Sequence, residues 1–247
     1  MAVFPLIAAL VALVFAALLS RQFLSRRRPY QLAWALALLM YAAASAALFL
    51  GVLSGWTATE YRIYWLFGAV LNVPFLALGE VALLVRNRTV VNAASLLMVF
   101  ATAFAFTRIR TATLDVSALS TDLPSGKDVF RADPFATDLA RLYAFPTYFL
   151  LIAGTLWSAW RMRGAPELRD RFLGTLLIAL GATVVAAGSA FALNGLLIGF
   201  SATLAAGVAL MFLGFLRASR SPRPAPAPEP ADRGAEIGTP SSGEAVG

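Results

Sequence analysis

The sequence contains no cysteine and no histidine. The first absence excludes thiol catalysis and disulfides. The second excludes imidazole acid–base chemistry and His-ligated haem, and together they exclude Cys/His zinc sites. Lysine is nearly missing too, since Lys127 stands alone beside 19 arginines. Charged residues make up only 13% of the 247, against about 25% in an ordinary soluble domain. With 60% hydrophobic residues and a mean hydropathy of +0.75, too few polar side chains exist to cover a water-facing surface. No glycine-rich phosphate loop stands in a strand–helix context, so no nucleotide-binding module is expected.

What is present is a series of long apolar runs. A membrane helix needs about 20 mostly apolar residues to cross roughly 30 Å of hydrocarbon. Seven stretches qualify: 2–19, 31–53, 61–85, 90–106, 139–160, 172–193 and 195–216. Residues 172–216 form one uncharged run of 45, which as a single helix would measure about 68 Å. It must fold back on itself, and Asn194-Gly195 is the turn dipeptide near its middle. Arg21, Arg26, Arg27 and Arg28 follow the first run instead of preceding it, so that run reads as a retained helix and not a cleaved signal. The expected fold class is all-α, a polytopic bundle of seven transmembrane helices.

Arginine sets the expected orientation. With the N-terminus outside, the inner loops carry 13 arginines between Arg21 and Arg223, opposed by Glu167 and Asp170. The outer segments carry six cations and six anions. Positive residues gather on the cytoplasmic side, so the N-terminus is expected outside and the C-terminus in the cytoplasm. This accounts for a pI near 10.5 without nucleic acid. Anionic lipids at the cytoplasmic face are the expected partners, attracted by about 1 kcal/mol per arginine. Trp56, Tyr61, Tyr64, Trp65, Tyr143 and Tyr148 are expected as an outer interfacial belt, and Tyr30, Trp34, Trp157 and Trp160 as an inner one.

The membrane domain is read as 1–217, including a long extracytoplasmic connection over 107–138. That connection is polar and punctuated by Pro124-Ser125-Gly126 and Asp133-Pro134. It is longer than a tight bundle requires. Its composition reads as a solvated, partly ordered loop, with a cap over the outer mouth or a binding-site lining as alternatives. Residues 218–247 read as a disordered cytoplasmic tail, because SPRPAPAPEPA over 221–231 favours extended polyproline over packing.

Glu80 is the one ionisable residue well inside a span, six residues before Arg86. A carboxylate deep in hydrocarbon costs about 2.5–3.5 kcal/mol, so such residues usually face protein or water. Asn72 lies about 80° round the same helix, near enough to border the same cavity. Pro74 between them removes one backbone donor and is expected to kink the span. Glu80 and Asn72 are therefore the candidate proton, cation or ligand site. The competing structural reading has Glu80 leaning to water or paired with an arginine, and Asn72 bonding a neighbouring helix. Gly174, Gly181 and Gly188 recur every seven residues, and Gly199 and Gly207 flank Thr203. Such small residues allow close backbone approach, so a tight hairpin of the sixth and seventh spans is expected.

Seven spans invite comparison with microbial rhodopsins, but a retinal Schiff base needs a lysine in the last helix and Lys127 lies in a loop. Sugar carriers of the SWEET type join two three-helix repeats by a linker helix. Aligning the first three spans with the last three places Pro5 against Pro146, yet the second and sixth spans hold no proline. The stretches YRIYWLFGAVLNVPFLALGE (Tyr61–Glu80) and LPSGKDVF (Leu123–Phe130) resemble an uncharacterised family of bacterial seven-helix integral membrane proteins. That resemblance implies a multi-pass protein of the bacterial cytoplasmic membrane and no particular activity. Two functions stay open: a carrier or channel for a small solute, ion or lipid using Glu80, or a sensor or accessory subunit working through a protein partner or a second copy. An enzyme is disfavoured, because one carboxylate without a second acid is a thin catalytic set. No cofactor is expected, and no metal site, since oxygen ligands do not cluster within the spans.

Overall fold

The structure, a computed structural model, describes residues 2–120, 123–164, 168–193 and 196–219. Regular structure among them is helical throughout. Seven helices are long and apolar enough to cross a membrane: α1 (Val3–Arg26), α2 (Pro29–Ser54), α3 (Ala58–Leu84), α4 (Arg88–Thr111), α5 (Pro134–Met162), α6 (Arg169–Leu193) and α7 (Leu197–Ser219). The chain is thus built as a multi-pass membrane protein. The Asn194-Gly195 turn, Asp122, Glu167 and the tail from 220 onward lie outside the described residues.

Local chemistry sets where the helices begin. Pro29 and Pro134 occupy first-turn positions, where a missing N–H costs nothing. Thr57 and Glu60 form a reciprocal capping box at the start of α3, and the Asn87 side chain accepts from the Thr89 N–H at the start of α4. Several helices run past the apolar stretches that define them. Arg108 and Arg110 continue α4, while Asp138 and Arg141 lie within α5. A helix satisfies its own backbone whether or not its side chains are charged, so it extends beyond the hydrocarbon. The connection between α4 and α5 therefore covers 112–133, and α7 runs to Ser219.

Six helices pack in the ring order α1, α2, α3, α5, α6, α7, and α7 closes back on α1. Phe15 of α1 seals that closure against Phe212 and Phe215, at 5.4 and 4.9 Å between ring centres. The Tyr41 hydroxyl of α2 ties across to the Leu204 carbonyl of α7 at 2.8 Å. Helix α4 stands outside the ring, leaning on α3 and α5. Only 11% of its most apolar window is buried, against 50% for α2, and Leu96, Leu97, Val99 and Phe100 are all exposed. A helix that is apolar all round and little buried needs lipid or a partner as its solvent.

Glycines bring α6 and α7 together. A Cβ on Gly174 would stand 2.5 Å from the Gly214 carbonyl oxygen, and one on Gly181 would stand 2.5 Å from that of Gly207. Gly188 lies against Thr203 and Gly199 against the Phe191 ring. Gly214, absent from the sequence reading, supplies the last rung.

The connection after α4 is not the loose segment its polarity suggested. It holds a 3₁₀ turn (Val116–Ser120) and one turn of α-helix (Gly126–Val129), and it buries Leu119, Leu123, Val129 and Phe130. Phe130 meets Tyr61 and Trp65 at 5.8 and 5.5 Å. The Tyr61 hydroxyl donates to the Pro124 carbonyl and the Trp65 indole N–H to that of Ala136. This is a packed cap on the end of the bundle opposite the arginine-rich connections. Its core recruits Trp56 and Tyr61, both buried, and ring-to-ring packing gives them a large apolar contact. Trp157 and Trp160 remain half exposed on α5.

Candidate functional site

Helix α3 carries the residues of interest, and it is not a plain α-helix. Trp65–Leu71 is π-helical and gives way to α-helix at Asn72, two residues before Pro74. Proline lacks an N–H and its ring crowds the carbonyl four residues earlier. A wider turn just upstream relieves that crowding, and π segments inside helices often mark functional sites.

Glu80 lies six residues beyond Pro74 and is only 4% exposed. Its Oε1 is buried and has no hydrogen-bond partner among the described residues. The side chain packs against α5 where that helix has Gly154: a Cβ there would come 2.7 Å from Glu80 Cγ. On the neighbouring side, Gly79 makes room for the Trp34 indole of α2, whose N–H donates to the Leu76 carbonyl at 3.0 Å. Glycine therefore serves two contacts here, Gly79 admitting the Trp34 indole and Gly154 admitting the Glu80 side chain.

Glu80 lines a partly open cavity of about 70 Å³, room for a few water molecules. All six ring helices line it and α4 does not. Most of the wall is apolar, with Phe15, Phe215 and Met211 among its members; Thr155, Ser158 and Thr175 add hydroxyls. The Thr155 hydroxyl donates to its own helix at Leu151, 2.7 Å away, as mid-span threonines tend to do. Thr183 and Thr203 likewise bond the carbonyls of Ala179 and Phe200.

Asn72 does not join this cavity. It is buried, and its amide donates to the Ala37 carbonyl of α2 at 2.8 Å. The angular offset between Asn72 and Glu80 sends one side chain to α2 and leaves the other facing α5. A combined polar track is not formed. Gly79 is Glu80's neighbour in α3, but the other residues that accompany Glu80, namely Trp34, Gly154, Ser158 and Thr175, come from helices α2, α5 and α6. Trp34 stood out in the sequence only as an interfacial aromatic, and nothing there paired it or the others with Glu80.

Chemically, the arrangement offers one carboxyl group with a free oxygen, weak hydroxyl donors and aromatic faces. It suits a proton or a small cation, since aromatic faces also attract positive charge. It has no nucleophile–base pair. Comparison with protein-family models, curated proteins and solved structures finds no match to this chain, so the site is read on its own chemistry.

Proposed function

We propose that the protein is a carrier or channel that binds a proton or small cation at Glu80 and moves it across the membrane. The observation that carries this reading is a buried carboxyl oxygen without a partner, on a residue that lines a pocket among six helices. A buried acceptor left unsatisfied is costly, so its natural complement is a ligand that supplies a hydrogen or positive charge. Position supports the same reading. Glu80 on α3 meets Gly154 on α5, where the first three helices abut the last three across the ring. Carriers built from two such triplets place their sites at that junction.

The proposed setting is a bacterial cytoplasmic membrane, with the N-terminus and cap outside and the arginine-rich end in the cytoplasm. Because the chain lacks cysteine, single substitutions Lys127→Cys and Ser25→Cys test this directly. An impermeant maleimide added to intact cells should label the first and spare the second.

Proton flux tests the carrier reading. Proteoliposomes loaded with a pH-sensitive dye and polarised with a potassium gradient should acidify with the wild type. Glu80→Gln should slow that flux by about tenfold or more, as loss of an essential proton-transfer group does. Equal rates in the two proteins would count against it. The uncovered face of α4 favours a second reading, an accessory or sensor subunit docked through that helix. Photo-cross-linking from Leu97 in native membranes should then capture one protein partner in constant yield, whereas a pure carrier would yield lipid adducts.

A further inference from the structure

The α1–α2 and α3–α4 connections lie side by side at the arginine-rich end, with an open cleft of about 420 Å³ between them. Arg27, Arg86 and Arg88 line it together with Asn92, over a floor that includes Val85 and Val91. No acidic residue among the described residues lines it, and none of the three arginines belongs to an ion pair among them. Guanidinium groups converging on one cleft repel each other unless an anion shares it. Two helices also begin here, α2 at Pro29 and α4 at Arg88, and neither has an acidic residue in its first turn. Helix N-termini favour negative charge, so an arginine at the first position of α4 is misplaced by that rule until an anion sits between.

Arg27 has a further distinction. Its backbone is left-handed, with φ 51°, and its N–H closes α1 on the Phe23 carbonyl at 2.7 Å. Glycine or asparagine normally fills such a closing position, and here a long cation fills it and enters the cleft. Neutralising a helix C-terminus accounts for Arg26 on α1 and for Arg86 just beyond α3, but not for Arg88, which opens α4.

We propose that this cleft is a discrete site for the phosphate group of one anionic phospholipid. Arginine offers planar, two-pronged donation to phosphate oxygens, and basic pockets between membrane helices suit lipid headgroups. A lipid is favoured over free phosphate by what surrounds the cleft. Leu83, Leu84 and Val90 are exposed beside it, so acyl chains attached to the bound phosphate continue down the uncovered face of α4. The site is independent of Glu80 and shares no lining residue with its cavity.

Native mass spectrometry of the full chain with phosphatidylglycerol, compared with phosphatidylcholine, tests the proposal. The wild type should retain one phosphatidylglycerol selectively. The triple variant Arg27→Gln/Arg86→Gln/Arg88→Gln should lose affinity by roughly a hundredfold. A control triple, Arg161→Gln/Arg163→Gln/Arg171→Gln, removes equal charge from the same end and should lose about threefold or less. Equal losses in both triples would mean diffuse surface attraction and overturn the site, as would no loss in either. Displacement of the lipid by millimolar inorganic phosphate would overturn the lipid assignment. If the cleft triple misfolds, Arg88→Gln alone decides the matter, with about fivefold loss expected and unchanged binding overturning the site.

Discussion

A Cβ on Gly154 would come 2.7 Å from Glu80 Cγ and 3.2 Å from its Oε1, so the glycine shapes the cavity as much as the acid does. Gly154→Ala should push the carboxyl aside. Proton flux should fall while the cost in stability stays at about 1–3 kcal/mol, the range for overpacking a core. Flux at the wild-type rate in Gly154→Ala proteoliposomes would show that the carboxyl position is not critical. Asn72 provides the contrast. Asn72→Ala removes one bond to the Ala37 carbonyl, which keeps its own helical donor, so a loss of about 0.6 kcal/mol is expected in reversible unfolding. Flux should not change. Neither assignment could be made from residue type alone: both are polar groups inside one apolar span, separated by which neighbour each one meets.

The cap and the α6–α7 hairpin set the matters decided at the level of elements. In the hairpin, glycines facing backbone differ from glycines facing side chains. Gly181→Val would collide with the Gly207 carbonyl, which cannot rotate away, whereas Gly199→Ala meets only the Phe191 ring. The first should lower the melting temperature severely and the second slightly; equal shifts would contradict close backbone contact. In the cap, Phe130 is completely buried, and Phe130→Ala should cost about 3–5 kcal/mol of local stability, read as faster hydrogen exchange over the Gly126–Val129 turn. The cap also carries a pH-dependent turn. The Ser117 hydroxyl and N–H both donate to Asp115 and hold its carboxyl below the ordinary value of 3.8. A carboxyl lowered in the folded state stabilises the turn above that ordinary value, and the contribution is lost as pH falls through the lower, folded one. Exchange over Val116–Ser120 should therefore accelerate below about pH 4, and Asp115→Asn should remove the pH dependence.

For the whole molecule, the ring order and the exclusion of α4 make the sharpest prediction. In α2, Leu36 and Leu39 are exposed while Ala37 and Leu38 are buried. Spin labels scanned along α2 should show a helical rhythm of oxygen accessibility with its minimum at 37 and 38. In α4, labels at 96, 97, 99 and 100 should all be accessible, while the side leaning on α3 and α5 should give minima at 91, 105 and 109. Low accessibility at 96, 97, 99 and 100 in the isolated protein would place α4 in the bundle and contradict its position outside the ring.

Composition and local pattern by themselves determined that this is an all-helical, seven-span membrane chain, because apolar length is counted residue by residue and needs no knowledge of neighbours. The glycine spacing along α6 was legible for the same reason: a seven-residue repeat keeps one helical face. Tertiary structure alone decided the rest. It drew Tyr61 to Phe130 and so closed a polar-looking connection into a cap, which joined the two stretches that stood out in the sequence. It separated Asn72 from Glu80, set Gly154 against the carboxyl, and left α4 outside the ring. Each of these depends on which faces of similarly apolar helices meet, and hydrophobicity, being non-directional, does not distinguish one apolar face from another.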